Sequence, residues 1–210
     1  MPDEQGYFGN RRLELVELVD ASAKSVLDVG CGYGLLGSTL KSSVQGRRVV
    51  GIERDAAAAA EARKALDEVL NVDIESSNLP FERGTFDCII FADILEHLRE
   101  PLSILTRSKK YLKEDGYIIC SIPNMRHYTV LLRLLTIGWK YEDYGLFDRT
   151  HLRFFSLATM KQLMNDAGLS VELIKPKIEA SKKAKMVNSL LFGRLDEFLS
   201  MQYLIKARVR

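Results

Sequence analysis

Short apolar runs alternate with amphipathic stretches along most of the chain. The apolar runs are nearly continuous, which is typical of β-strands that are buried on both faces of a parallel sheet. The amphipathic stretches between them predict helices that cover the two faces of that sheet. The predicted strands are residues 25–29, 48–52, 67–72, 86–92, 116–122, 169–174 and 203–209. The pattern therefore predicts an α/β fold.

Capping residues mark the ends of several predicted helices. Asp55 precedes five alanines, and an acid at that position caps a helix. Pro101 and Ser156 are expected to open two further helices, the second ending at Gly168. The predicted helices cover residues 13–19, 35–42, 56–66, 101–112, 156–168 and a stretch around 185–199. The segment 123–155 interrupts the alternation and is long for a simple connection, so we expect it to form a functional lid.

The composition is that of an ordinary globular protein, with 210 residues, of which 47% are hydrophobic and 28% charged. This length favours a single domain over residues 1–210, with a cap helix in 1–22 and a lid insertion in 123–155. The 30 basic and 28 acidic side chains leave a net charge of +2, so no nucleic-acid partner is expected. The oligomeric state stays open.

Neither a targeting segment nor a membrane span is expected. The N-terminus lacks the basic and apolar regions of a secretory signal. The longest mainly apolar run, residues 128–139, contains Arg133 and is too short to span a bilayer, so no stable membrane insertion is expected. Three cysteines lie in or just after apolar runs at a spacing that fits no zinc site. We therefore expect a cytoplasmic protein with reduced thiols and no metal.

The most informative motif follows the first predicted strand. The strand contains Asp28, and three alternate glycines, Gly30, Gly32 and Gly34, follow it before the next predicted helix. Glycine lets the backbone turn sharply and approach a ligand closely, and the helix start directs N–H groups toward that ligand. We expect this loop to hold a nucleoside-type cofactor. The dinucleotide fingerprint G-x-G-x-x-G would need a glycine at Leu35, which argues against an NAD-dependent oxidoreductase but leaves it open.

Acidic residues follow the next two predicted strands. Glu53 lies 23 residues beyond Gly30 (53 − 30), and its carboxylate can accept hydrogen bonds from both hydroxyls of a ribose. Asp73, beside the backbone N–H of Ile74, can read the donor and acceptor on an adenine edge. Because ligands of parallel sheets bind at the carboxyl ends of the strands, we expect these groups to converge over the glycine loop.

Four segments carry a resemblance to a known family. They are residues 28–34 (Asp-Val-Gly-Cys-Gly-Tyr-Gly), 51–55 (Gly-Ile-Glu-Arg-Asp), 73–74 (Asp-Ile) and 86–93 (Phe-Asp-Cys-Ile-Ile-Phe-Ala-Asp). In this order and spacing they resemble the motifs of class I S-adenosylmethionine-dependent methyltransferases. The resemblance implies a Rossmann-like three-layer sandwich with a mainly parallel seven-stranded sheet and an antiparallel last strand. It also implies S-adenosylmethionine as cofactor and S-adenosylhomocysteine as product.

The resemblance also implies roles for individual residues of the cofactor site. Asp28 would support the loop and reach the methionine ammonium, which the Gly30 carbonyl would also bind. Glu53 would bind the ribose hydroxyls. Asp73 would accept from the adenine amine, and the Ile74 N–H would donate to the ring.

The methionine portion of the cofactor is expected to meet two further elements. Backbone near Ala92 and Asp93 would line it. A subset of the family carries an N-terminal stretch similar to residues 7–14, which closes over the cofactor. Arg12 matches the arginine of that stretch and would pair with the methionine carboxylate, although Arg11 stands where a proline is frequent.

The acceptor side resembles one bacterial branch of the family. The resemblance lies in residues 148–156 (Asp-Arg-Thr-His-Leu-Arg-Phe-Phe-Ser) and in the Pro-Asn and His of 123–127. Many members of that branch serve cell-surface glycan or secondary-metabolite pathways. The resemblance therefore implies a small-molecule acceptor, a sugar hydroxyl or an amine. A non-catalytic module that binds the cofactor stays open as an alternative.

Histidines are the candidate catalytic residues, because an acceptor hydroxyl must lose a proton near neutral pH. His151 lies between Arg149 and Arg153, whose positive charge is expected to lower its pKa. His127 follows the fifth predicted strand, near the expected cleft. His97 is the third and weakest candidate. We expect His151 and His127 to act as acid or base, or to bind the acceptor.

Overall fold

The computed structural model describes residues 11–178, 181, 186 and 188–210. The first ten residues of the predicted cap and part of the helix predicted around 185–199 lie outside this part of the chain. The helices are α1 Leu13–Val16, α2 Leu35–Ser43, α3 Ala56–Ala62, α4 Pro101–Ser108, α5 Tyr128–Thr136, α6 Leu157–Asp166 and α7 Asp196–Leu199. The strands are β1 Ser25–Val29, β2 Arg48–Glu53, β3 Glu68–Asn71, β4 Phe86–Ala92, β5 Leu112–Pro123, β6 Leu169–Ile178 and β7 Ser200–Val209.

The strands form one seven-stranded sheet in the order β3-β2-β1-β4-β5-β7-β6. Strands β1 to β5 pair in parallel, and β7 pairs antiparallel with both β5 and β6. The predicted mainly parallel sheet with an antiparallel last strand is therefore confirmed. The strand order reverses beside β1, which places the ligand-binding crevice at the carboxyl ends of β1 and β4.

Both faces of the sheet are buried at its central strands, as the continuous apolar runs predicted, whereas the edge strand β6 is largely exposed. In β4, Cys88 and Ile90 pack into one core with residues of α2 and α3, whereas Ile89 and Phe91 pack into the other with residues of α4 and α6. Successive side chains of a strand point to opposite faces, so a strand covered on both faces has no polar alternation. This arrangement gives the three layers of the fold.

Several predicted boundaries are wrong by about four residues. Helix α3 ends at Ala62 rather than at residue 66, and strand β6 continues to Ile178 rather than ending at residue 174. The helix from Pro101 ends at Ser108, and a short 3₁₀ turn, Lys109–Tyr111, follows it. Strand β5 begins at Leu112 rather than at Gly116, because Leu112 pairs with Phe86 of β4 and is buried. Tertiary pairing therefore extends the strand into residues whose own pattern is polar.

The segment 123–155 leaves the sheet and returns to it. Asn124 forms a β-bridge with Phe155, so the two ends of the segment lie together. The Asn124 side chain also donates to the backbone carbonyls of Glu197 and Ser200, at 2.6 and 2.8 Å, which fixes this base to the sheet. Among the described residues, no helix has the length and apolar content to cross a membrane.

Gly51 in β2 gives a test of the packing behind the glycine loop. A Cβ at this position would lie 2.5 Å from Cys31 Sγ and 2.9 Å from Leu66 Cδ1. We expect Gly51→Ala to lower the free energy of unfolding by about 1–3 kcal/mol, measured by urea denaturation. Adding Cys31→Ala should restore part of that loss, because it removes the nearest atom. Strictly additive effects of the two substitutions would contradict this account.

Candidate functional site

The loop after β1 has the left-handed backbone that only glycine adopts easily. Gly30, Gly32 and Gly34 have φ angles of 72°, 53° and 78°. A Cβ on Gly30 would also overlap the side chain of Ile94, so a larger residue is excluded there on two grounds. The N–H of Gly30 donates to the carbonyl of Ile52 at 2.8 Å, which ties the loop to the end of β2. The loop is therefore a preformed cradle of bare backbone.

Glu53 lies against this cradle, as the sequence predicted. The residue is buried, and its two carboxylate oxygens accept hydrogen bonds from the N–H groups of Gly32 and Asp55, both at 2.9 Å. A carboxylate oxygen has two lone pairs, so each oxygen keeps acceptor capacity beyond these bonds. The side chain is thus oriented by the backbone and able to bind a pair of ligand hydroxyls.

Asp28 lies behind the loop as a buried carboxylate that no hydrogen bond from the described residues stabilises. It is 1% exposed, and neither of its oxygens has a hydrogen-bond partner among the described residues. Burial, and then the negative charge of Glu53, raise the pKa of Asp28 to about 7, while Arg12 acts in the opposite direction. A carboxylate left in this state is a site for a cationic hydrogen-bond donor.

Asp93, directly after β4, is the centre of a polar network. Arg12 donates to Asp93 Oδ2, and Gln202 and the hydroxyl of Ser121 donate to Oδ1, the latter at 2.9 Å. These bonds hold Asp93 at a φ of 55°, a backbone conformation that is rare for a residue other than glycine. Arg12 is buried and also donates to Gln202, at 3.1 Å. Gln202 comes from β7, and no sequence motif pointed to it.

The remaining predicted cofactor residues lie at the same edge of the sheet. Ala92 is the last residue of β4, and Asp73 and Ile74 follow β3. Asp73 is exposed and accepts the N–H of Glu75 at 2.8 Å, whereas Ile74 is buried. Their roles toward a ligand stay predictions.

Two of the three histidines lie together, and the third lies in a different environment. The rings of His97 and His151 are 4.8 Å apart between centroids. His127 is buried at the start of α5, with Nδ1 2.7 Å from Thr129 Oγ1 and its ring against that of Tyr128. This is the environment of a packed residue at a helix start, and the catalytic role of His127 stays a prediction.

The pKa of His151 is lowered, as expected, but for a different reason. Burial is the main cause, followed by the charge of His97. The expected influence of the flanking arginines is not the cause, because both are engaged elsewhere: Arg149 pairs with Asp143 at 2.6 Å, and Arg153 donates to the carbonyl of Arg99. Arg149 lies in the turn that precedes His151, so a neighbour of His151 in the sequence need not be its neighbour in space.

Glu96 is a buried acid in the 3₁₀ turn Leu95–His97, after the end of β4. It is 1% exposed. Burial raises the pKa of Glu96 to about 8, and the charge of Asp148 raises it further, against the backbone of its own turn and Arg12.

An apolar cleft opens in the segment 123–155. Its volume is about 410 Å³, and it is lined by Met125, Val130, Leu134, Trp139, Tyr141 and Phe154. Trp139 stands edge-on to Phe154 at 4.9 Å between ring centroids. The size is that of a small-molecule site. A larger depression of about 520 Å³ runs along the first half of β6, away from the carboxyl ends of the strands.

The buried charge of Asp28 predicts a specific dependence of stability on pH. The pKa is about 7 in the folded state against an ordinary 3.8, so the folded protein holds the proton more tightly. The contribution to stability is therefore complete below pH 3.8 and is lost as the pH rises to about 7, by on the order of 4 kcal/mol. We expect Asp28→Asn to flatten this dependence and to raise the melting temperature at pH 8.

Asp67 supplies a control of opposite sign. Burial alone would raise its pKa, but the N–H of Val49 and the ammonium of Lys41 outweigh burial, so the pKa is lowered. Asp67→Asn should therefore lower the melting temperature at pH 8. A melting temperature of Asp28→Asn below that of the unmodified protein at pH 8 would contradict the assignment of a buried, uncompensated charge.

The chain is similar to known proteins over most of its length. A family model described as a methyltransferase domain matches residues 5–174. An uncharacterized 37.1 kDa protein of a Streptomyces fradiae transposon is 25% identical over 91% of this chain and 59% of its own length. The ubiquinone biosynthesis O-methyltransferase of Pasteurella multocida is 36% identical over 49% of this chain and 48% of its own. The chain thus spans 48% to 59% of the length of these curated relatives.

The fold is shared with solved structures. A SAM-dependent methyltransferase from Archaeoglobus fulgidus superposes with a TM-score of 0.68 at 19% identity, covering 97% of this chain and 96% of that one. The glycine cradle, Glu53 and the matched family model together decide against the dinucleotide oxidoreductase. This chain belongs to the methyltransferase-domain family and shares the fold of solved S-adenosylmethionine-dependent methyltransferases.

Proposed function

We propose that this protein transfers the methyl group of S-adenosylmethionine to a hydroxyl of a small molecule. The observation that carries the proposal is the buried, uncompensated carboxylate of Asp28 beneath a cradle of three left-handed glycines. S-adenosylmethionine carries an ammonium and a sulfonium, so its positive charges complement the acids at this edge. The residues present therefore fit the cofactor.

The chain's own residues divide the work of holding the cofactor. Asp28 and the Gly30 carbonyl accept from the ammonium, and Glu53 accepts from the two ribose hydroxyls with charge-assisted strength. Asp73 and the N–H of Ile74 bind the adenine edge. These assignments follow the predicted roles, and the burial of Asp28 and the orientation of Glu53 support them.

The methionine end meets the network around Asp93. Ala92 and Asp93 line this end, and Arg12 binds the methionine carboxylate. In the present structure Arg12 pairs with Asp93. When the methionine carboxylate binds to Arg12 through two hydrogen bonds, it therefore either shares the guanidinium with Asp93 or displaces Asp93 from it.

Catalysis by this chain is mainly a matter of position. The cofactor supplies a methyl group on a sulfonium, which is already a good leaving group. The protein must hold the acceptor in line with that methyl group at near-attack distance, which lowers a barrier by roughly 7–11 kcal/mol. We propose that residues 1–22 and 123–155 of the single domain exclude water, and that the acceptor binds beneath the second segment.

The cleft indicates which kind of acceptor this is. Its lining of aromatic and aliphatic side chains favours a molecule with an apolar or aromatic face. The name of the P. multocida relative, an O-methyltransferase, favours oxygen over nitrogen as the methylated atom. A sugar hydroxyl or amine in a glycan or natural product, as predicted from the sequence, is compatible with this lining only if the molecule also has an apolar or aromatic face. We propose that His151 binds the acceptor or takes its proton.

Glu53 gives a direct test of the cofactor site. We expect Glu53→Ala to weaken the binding of S-adenosylhomocysteine by at least about tenfold, since two charge-assisted hydrogen bonds to the ribose are lost. Isothermal titration calorimetry measures the affinity, and circular dichroism checks that the variant folds. Glu61→Ala, which removes an exposed acid of α3 paired with Lys64, is the control and should bind normally.

Two outcomes of this titration would contradict different parts of the proposal. Unchanged affinity of Glu53→Ala would remove the proposed role of that residue. No binding of S-adenosylhomocysteine to the unmodified protein at millimolar concentration would overturn the proposed function itself. Binding without transfer of a labelled methyl group to any candidate acceptor would favour the non-catalytic alternative.

Trp139 tests the acceptor proposal, because it is the single tryptophan of the chain and lines the cleft. Hydroxylated aromatic compounds should change its fluorescence, whereas free sugars should not. For an acceptor found in this way, Trp139→Ala should raise KM roughly tenfold or more, with unchanged S-adenosylhomocysteine affinity, because ring contacts and apolar burial are lost. Tyr144→Ala, an exposed aromatic of the same segment outside the lining, is the control. A response to sugars alone would contradict the proposed acceptor.

A further inference from the structure

The carboxylate of Glu96 is a second buried acid whose charge has no compensation. Neither oxygen has a hydrogen-bond partner in the described part of the chain, and the residue is 1% exposed. An ionised carboxylate in such a place costs several kcal/mol unless a cation or hydrogen-bond donor meets it. None of the roles assigned above to the cofactor site involves this side chain.

Two histidines face the same point as Glu96. One ligand atom from each of Glu96, His97 and His151 can be chosen so that all three lie within 4.8 Å of one another. Ligands around a bound transition-metal ion are separated by about 3.4 Å, given metal–ligand distances of 2.0–2.2 Å in tetrahedral geometry. Binding of an ion would therefore draw the three side chains together by about an ångström.

The ring of His97 is oriented at one of its nitrogens. His97 Nδ1 lies 3.2 Å from the carbonyl oxygen of Thr150 and 3.0 Å from the hydroxyl oxygen of the same residue. When Nδ1 of His97 carries the proton and donates to Thr150, Nε2 carries the lone pair that a metal ion takes. Such bonds to the outer nitrogen are the usual support of metal-binding histidines.

The backbone brings the two parts of this cluster together. The carbonyl of Glu96 accepts the N–H groups of Leu152 and Arg153, at 2.8 and 3.0 Å. The carboxylate of Asp148 accepts both the N–H and the hydroxyl of Thr150, at 2.7 and 2.6 Å. The segment that carries His151 is therefore fixed on the turn that carries Glu96 and His97.

We propose that Glu96, His97 and His151 bind a divalent transition-metal ion. Two imidazole nitrogens and one carboxylate suit Mn²⁺, Fe²⁺, Co²⁺ or Zn²⁺ rather than Mg²⁺ or Ca²⁺, which prefer oxygen ligands. Three protein ligands leave coordination positions open for another molecule. This site was not expected from the sequence, because its three ligands come from two segments more than fifty residues apart.

The inference rests on the proposed function for its role in the reaction. The metal's open position takes the acceptor hydroxyl and lowers the pKa of that hydroxyl. The O–H proton leaves to solvent water, the oxygen electron pair forms the bond to the methyl carbon, and the C–S bond breaks with its pair retained on sulfur. His151 is then a metal ligand instead of a general base.

Metal binding can be tested apart from catalysis. The full chain is treated with EDTA, dialysed and titrated with MnCl₂ or ZnCl₂ in a calorimeter. We expect each ion to bind at a single strong site. Electron paramagnetic resonance checks the occupancy by Mn²⁺. Glu96→Gln, which keeps the shape of the side chain, should weaken both ions at least tenfold, and His151→Gln should do the same. Glu100→Gln, which changes an exposed acid four residues from Glu96, should bind them as the unmodified protein does.

The two proposals fail in different ways. The metal site would be overturned if Mn²⁺ and Zn²⁺ bound no more tightly to the unmodified chain than to Glu96→Gln. If S-adenosylhomocysteine still bound in that case, the proposed function would stand. Methyl transfer that survives EDTA undiminished would overturn the catalytic role of the ion. Loss of transfer in EDTA, restored by Mn²⁺ in the unmodified protein but not in Glu96→Gln, is the expected result.

Discussion

The parallel pairing of β1, β2, β3 and β4 is the constraint on which the rest of this protein depends. Parallel strands end at one edge of a sheet, so every residue that follows a strand is delivered to the same place. The glycine cradle after β1, Glu53 at the end of β2 and Asp93 after β4 meet there for this reason alone. Asp28 is buried behind them with no hydrogen-bond partner among the described residues.

Buried acids at that edge link the fold to the chemistry. Asp28 and Glu96 are each 1% exposed and have no hydrogen-bond partner within the described residues. Charges in this state lower the stability of the folded chain and raise the affinity for a cation that reaches them. A cationic cofactor is proposed for the first, and a metal ion is proposed for the second.

Most of the cofactor side could be predicted from the sequence, and most of the acceptor side could not. The continuous apolar runs predicted the observed bounds of β1 and β4, because the hydrophobic pattern of a strand is contained in its own few residues. The same local pattern predicted that α4 ends about one turn later than it does, because the pairing of Leu112 with Phe86 sets the boundary between the helix and β5. His151 was a candidate, but its neighbours were misjudged: His97, from a distant segment, lies against its ring, and the adjacent arginines turn away.

The sequence by itself determined the order of strands and helices, the left-handed turn that three glycines permit, and the acids at the strand ends. These are properties of neighbouring residues, which local backbone preference and hydrophobic periodicity encode. Only the tertiary structure decided that Gln202 reaches Asp93, that Glu96 is sealed from water and that His97 and His151 converge on it. Burial and proximity of that kind depend on the packing of segments fifty or more residues apart, for which a single sequence has no local signal.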